Sequence, residues 1–163
     1  MNRENLPAGL TAFRNFTMWD FDGCAKLYIQ AFNAPPWNDR WTVAAATKRL
    51  KDLFHTPGFI GLVAEQGQAV GMVLGHIEQW FDGPVFYLRE ICVEPSRQGQ
   101  GVGKALMREL TASLETMGVK KVYLLTNRNN PSETFFAAHG IKASRGIIMM
   151  SGPVQVEEIA ANQ

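Results

Sequence analysis

Cysteine is almost missing from this chain: only Cys24 and Cys92 occur among 163 residues, far apart and in apolar surroundings. That argues against a disulfide framework or a thiolate zinc cage and predicts two buried free thiols in a reducing cytoplasm. An excess of one charge is also lacking, since 16 basic and 15 acidic residues leave a formal net charge of +1. No broad field is available to gather nucleic acid or an anionic membrane, so neither partner is expected. No run approaches the roughly 20 apolar residues of a membrane span. Residues 1–10 have no apolar centre and do not resemble a secretory leader. The three histidines, His55, His76 and His139, lack metal-ligand spacing, and no metal is expected. They are read as surface or satisfied structural residues. Repeats and low-complexity linkers are likewise missing.

What the chain does have is 46% hydrophobic residues in a length suited to one core. A single domain over residues 1–163 is expected, with its core at about 12–151 and a frayed polar tail at 152–163. Phe13 to Met18 alternates as a half-buried strand, and Asp20 or Asp22 offers a cap for a helix burying Cys24, Leu27, Tyr28, Ala31 and Phe32. A second helix from Thr42 presents Val43, Ala46, Leu50, Leu53 and Phe54 inward and stops at Pro57-Gly58. Two β-rich runs, residues 59–64 and 69–77, form a hairpin pattern, and a turn near Asp82-Gly83-Pro84 leads to a third at 85–93. Residues 101–117 form the clearest helix, with Met117 on its apolar stripe and Gly118 as its stop. A strand at 119–126, a proline-opened helix at 131–138 and a last strand at 145–150 complete the expectation. Strands followed by β-α-β-α-β predict an α/β (α+β) fold with a mixed central sheet covered by helices on both faces.

The chemically informative stretch is Leu88 to Arg108, where a β-rich run meets glycines that open an amphipathic helix. First-turn N–H groups have no intrahelical partner and sit at the positive end of the dipole, so they converge on an anion. Glycine at 99, 101 and 103 keeps Cβ atoms out of the way of a diphosphate. A phosphate-binding loop of the nucleoside-triphosphatase type fails, because Gln98 stands where its first glycine belongs and Ala105 where its magnesium ligand belongs. The dinucleotide fingerprint fails too, since its third glycine falls on Lys104.

The segment Gln98-Gly99-Gln100-Gly101-Val102-Gly103, following Glu90-Ile91-Cys92-Val93, resembles the acetyl-CoA signature of the GNAT superfamily of N-acetyltransferases. Asn129, Ser132, Phe135, Phe136 and Gly140-Ile141 are similar to a later segment of that family, and order and spacing agree from about Phe13 to Met150. The resemblance implies an acyltransferase that takes acetyl-CoA as cosubstrate and passes the acetyl group to a primary amine by direct attack. It places the CoA pyrophosphate on the amides from Gln98 to Gly103, with Lys104 beside them. The pantetheine lies along Ile91, Cys92 and Val93, with Asn129, Ser132 and Phe136 near it.

An amine attacks only when neutral, and near pH 7 roughly one lysine-like amine in a few thousand is. By the same resemblance Glu90 is the candidate base, with a solvated strand-end carboxylate as the equal alternative. The main-chain N–H of Cys92 is implied as the oxyanion donor, its side chain being a small buried group. Where the family places a tyrosine as general acid, this chain has Phe136. Tyr87 and Tyr123 are substitutes or ordinary strand aromatics. Trp37 and Trp41 either wall an acceptor pocket or pin a loop, and Glu78 and Trp80 either face the acceptor or end a solvated hairpin. The first-choice acceptor is a small molecule such as an aminoglycoside, polyamine or amino acid, then a protein N-terminus or lysine. Relatives often pair as homodimers. A CoA-binding regulatory module without catalysis and a nucleotide-binding domain are the alternatives from other classes.

Overall fold

The computed structural model describes residues 7–154. The chain opens with strand β1 (Ala12–Asn15), then helices α1 (Phe21–Phe32) and α2 (Val43–Phe54). Strands β2 (Phe59–Glu65), β3 (Ala69–Trp80) and β4 (Gly83–Val93) follow as a meander. Helix α3 (Val102–Thr116), strand β5 (Lys121–Tyr123) and helix α4 (Pro131–Ala137) complete it. The five strands lie in chain order, antiparallel except for the parallel pair β4–β5.

The central strands carry apolar residues on both faces because both are covered by helices. On one side Leu62, Val73, Phe86 and Leu88 pack against Leu106, Leu110 and Leu114 of α3. On the other, Val63, Met72, Leu74 and Cys92 pack against Cys24, Leu27 and Tyr28 of α1 and Ala46, Leu50 and Leu53 of α2. Both cysteines are buried free thiols. Burial pushes the Cys24 thiol up to about 12 and the Cys92 thiol up as well, so neither is a ready nucleophile.

One irregularity in β4 decides where its residues face. Leu74 pairs with Glu90 while Gly75 pairs with Leu88, so Arg89 is an extra residue bulged out of the ladder. Before the bulge, Phe86 and Leu88 face α3; beyond it the parity reverses, and Ile91 and Val93 take that face. Cys92 turns to the α1–α2 side. Gly75 makes the bulge possible: a Cβ there would run into the carbonyl oxygen of Tyr87 and the ring of Phe86.

Several expectations are corrected. No strand forms at 145–150, and Ile147 to Met150 are exposed. The run has β-forming residues, but a strand exists only through a ladder, and among the described residues none pairs with it. The strand expected at 119–126 contracts to Lys121–Tyr123 for the same reason, because β4 pairs with it over three residues only. Asp20 makes no side-chain cap on α1. Its carboxylate instead accepts from both outer nitrogens of Arg14 and from the Thr17 N–H and hydroxyl. Val43 and Met117, read as inward, are exposed at their helix ends, where the apolar stripe has run past the sheet. Thr42 caps α2 by accepting from the Ala45 N–H. Among the described residues no helix is long and apolar enough to cross a membrane. Residues 155–163 of the tail and 1–6 of the N-terminus lie outside the described residues.

Gly75→Ala is expected to destabilise the protein by about 1–3 kcal/mol through overpacking at the bulge. Urea unfolding checks this, and an unchanged midpoint would show that the bulge relaxes at no cost.

Candidate active site

Beyond Tyr87, β4 has no neighbour on its second edge among the described residues, because β5 pairs only with Val85, Phe86 and Tyr87. The two strands part there, and a cleft of about 870 Å³ opens between them. One wall is the free edge of β4 from Leu88 to Val93 and the other runs from Leu124 to Asn127, with Phe135 and Phe136 of α4 behind it. Main-chain donors and acceptors along a free edge are available to an extended ligand that pairs as a strand does.

The glycine loop closes one end. Gly99 and Gly101 hold φ of 73° and 85°, a left-handed conformation that side-chain-bearing residues rarely adopt. Gly101 is the N-cap of α3 and supplies no side-chain cap, which leaves the first-turn N–H groups to an outside acceptor. The Gln98 amide donates to the Val93 carbonyl at 3.0 Å and ties the loop to the strand end. Arg97 and Lys104 add positive charge to the lining here.

At the other end the α1–α2 connection supplies an aromatic wall. Tyr28 meets Phe32 and Trp41 at ring-centroid distances of 4.4 and 4.9 Å, and Phe32 meets Trp37 at 5.7 Å. Below this wall lies Glu90, only 8% exposed, which the reversed parity beyond the bulge has turned toward α2. Nε and Nη2 of Arg49 both donate to its Oε1, at 2.9 and 2.7 Å. Burial pushes the Glu90 carboxyl above its ordinary value, against the pull of Arg49 and the Tyr28 hydroxyl. The result is a carboxylate secluded from bulk water yet on the cleft wall.

Of the residues singled out from sequence, Glu90, Ile91, Cys92, Val93, Gln98, Gly99, Gly101, Gly103, Lys104, Ser132, Phe136, Trp37 and Trp41 all line this cleft. Five do not. Gln100 turns away and donates to the Ser96 carbonyl. The Val102 side chain is buried under α3, so only its N–H is available to a ligand. Asn129 lies outside the lining, where its neighbour Asn130 takes the place while capping α4 through the Ser132 N–H. Glu78 and Trp80 sit further along β3, where Glu78 accepts from Tyr123 at 2.7 Å and Trp80 at 3.3 Å and meets His76 at 3.0 Å. His76, read as satisfied, keeps its buried Nδ1 without a partner. Arg49 escaped the sequence reading, because nothing in a helical pattern says that a residue flanking its apolar stripe will meet a carboxylate 41 positions on, and Tyr28 enters that reading only as part of the buried face of its helix. Among the described residues no group of three or more His, Cys, Asp or Glu side chains could hold a metal ion.

The sequence profile of the acetyltransferase (GNAT) family matches residues 22–141. The chain is 25% identical over 155 residues to a mycothiol acetyltransferase of Cellulomonas flavigena, a match over 91% of this chain but only 44% of that protein's length. Among solved structures, an aminoglycoside N-acetyltransferase in complex with CoA superposes with a TM-score of 0.71 at 19% identity, over 92% of this chain and all of that one. An aminoglycoside acetyltransferase from an uncultured soil metagenomic sample, in complex with sisomicin, gives 0.69 at 16% identity, over 90% of this chain and 97% of that one. At such identities these two likenesses show the fold.

Arg49→Met should leave Glu90 buried and unpaired, costing about 3 kcal/mol at pH 8. Removing the cation raises the Glu90 pKa further above its unfolded value. The group's contribution is then retained below the unfolded pKa and lost as pH rises, so the deficit should shrink toward pH 5. Urea midpoints at the two pH values test this, and a pH-independent deficit would mean that packing alone was lost.

Proposed function

Because the chain belongs to the acetyltransferase (GNAT) family, we propose that its cleft brings acetyl-CoA to a primary amine of a small molecule and that the amine attacks the thioester directly. The observation that carries this reading is the junction of the free β4 edge with the uncapped glycine start of α3. A long thioester with a diphosphate at one end matches that pair of features: strand-like main-chain partners for the arm, and converging N–H groups for the anion. A relative of the same fold is solved with CoA, which supports the assignment. Acetyl-CoA supplies an activated acetyl group, and the protein's work is to hold it, receive the amine and manage one proton.

The amides from Gln98 to Gly103, with Lys104, would take the diphosphate, and Ile91 to Val93 with Ser132 and Phe136 the pantetheine arm. Asn130 replaces Asn129 in that role. Glu90 would accept the amine proton, directly or through a water, as the C–N bond forms. The C–S bond breaks and the electron pair stays on sulfur. The N–H of Cys92 would stabilise the charge that gathers on the carbonyl oxygen. Phe136 is buried against the cleft and has no proton to give. Since a thiol's pKa is only about 8.5, the leaving thiolate can depart unprotonated and take its proton from water.

The decisive experiment is calorimetry with CoA, followed by an assay of free thiol released from acetyl-CoA over a panel of amines. Amine-dependent release is expected, whereas CoA binding without any release would make the chain a binding module. Gly101→Val should weaken CoA at least tenfold, because a β-branched residue does not hold the left-handed turn that aims the amides. Full affinity in that variant would move the diphosphate elsewhere. Glu90→Gln should lower kcat/KM on the order of 10²-fold near pH 7. That deficit should narrow as pH approaches the amine's own pKa and unaided neutral amine becomes abundant; a parallel profile would remove Glu90 from the proton path.

A further inference from the structure

One cation on the cleft wall is not required by acetyl transfer itself. The whole cleft is lined by four cations, Arg49, Arg89, Arg97 and Lys104, and two carboxylates, Asp39 and Glu90. Both carboxylates are engaged: Glu90 by Arg49, and Asp39, at the exposed rim, by the indole N–H of Trp41 at 3.0 Å. Arg97 and Lys104 lie with the glycine loop. Arg89 is left over, half-buried on the cleft wall, with no carboxylate partner among the described residues.

Arg89 is held by an aromatic ring rather than by an ion pair, its charge also reaching the adjoining Glu90. Its guanidinium lies 4.6 Å from the ring centroid of Tyr87, and Tyr87 stacks on Tyr123 at 4.3 Å with 19° between the planes. Ring stacking orients a guanidinium while leaving its in-plane N–H groups free. Glu78, on the same face as these aromatics, is already taken up by His76, Trp80 and Tyr123. The position also separates Arg89 from the proposed diphosphate site: Val93 lies four positions further along the strand, roughly 13 Å at the rise of a β-strand. As the bulged residue it adjoins Glu90 directly and, like Tyr28, Phe32 and Trp41, lines the cleft.

We propose that the acceptor is an amine that also carries a carboxylate, an amino-acid-like molecule whose carboxylate is held by the stacked Arg89 guanidinium while its amine reaches Glu90. This rests on the acetyl-transfer reading above and narrows its acceptor. An oriented guanidinium recognises a carboxylate with two parallel N–H donors, and a polycationic amine would meet repulsion at the same place. The aromatic wall gives an apolar or flat side group somewhere to lie.

The test is steady-state thiol release from acetyl-CoA with amino acids paired against their amides: phenylalanine, leucine, β-alanine and 4-aminobutyrate, with spermidine as a polycation. The wild-type protein should prefer at least one acid over its amide by at least tenfold in kcat/KM, mainly through KM, and should discriminate against spermidine. Arg89→Gln should bring that ratio close to one, and Arg89→Lys should retain part of it because the charge remains. If amides or spermidine serve as well as the acids, or if Arg89→Gln leaves the ratio unchanged, the carboxylate assignment falls while acetyl transfer stands. If no amine of either kind releases thiol although CoA binds in the calorimeter, the transfer reading falls and the acceptor assignment with it.

Discussion

The site depends on one extra residue in one strand. Where Arg89 bulges out of β4, the alternation of that strand reverses and its second edge loses its partner. These consequences act together. The reversal takes Glu90 and Cys92 off the α3 face and turns them to α1 and α2, so a carboxylate meets Arg49 instead of the apolar underside of α3. The divergence of β4 from β5 exposes main-chain groups along a cleft. Gly75 is the steric condition for the reversal, since no side chain fits opposite the bulge.

Electrostatics within the cleft follow from that geometry. Burial alone would favour a protonated Glu90, and Arg49 alone would favour an ionised one. Setting the two against each other leaves a carboxylate under opposed pulls in a site screened from bulk water, which suits the proposed loss of a proton from a cationic amine. At the glycine end, positive character comes from main-chain dipoles as well as side chains, and the turn that aims them is left-handed at two glycines. The cleft therefore has a glycine-loop end and an aromatic end, joined by the β4 edge from Leu88 to Val93, an arrangement that suits the proposed extended cosubstrate.

Much of this could be read in the sequence because it is local. The glycine spacing, the helix stripe of α3 and the strand before it are patterns within about twenty residues, and the comparisons agree with the family they suggest. What escaped was non-local or conditional on pairing. The run at 145–150 has the composition of a strand and no ladder to join. Glu78 and Trp80 are close to the site along the chain's pattern, yet β3 carries them past the cleft to a separate cluster with Tyr123 and His76. That Asn130 and not Asn129 lines the cleft is a one-residue shift, Asn130 being the cap of α4, finer than spacing can resolve.

Taken alone, then, the order of residues determined the family, the helices and central strands, and the glycine turn that opens α3, because each is encoded by near neighbours along the chain. Tertiary structure decided which face Glu90 would take, that Arg49 would be its partner, and that Arg89 would stand over the ring of Tyr87. Those outcomes hang on a register shift between β3 and β4, and register is set by which side chains the paired strands bury together, which no single stretch of chain encodes.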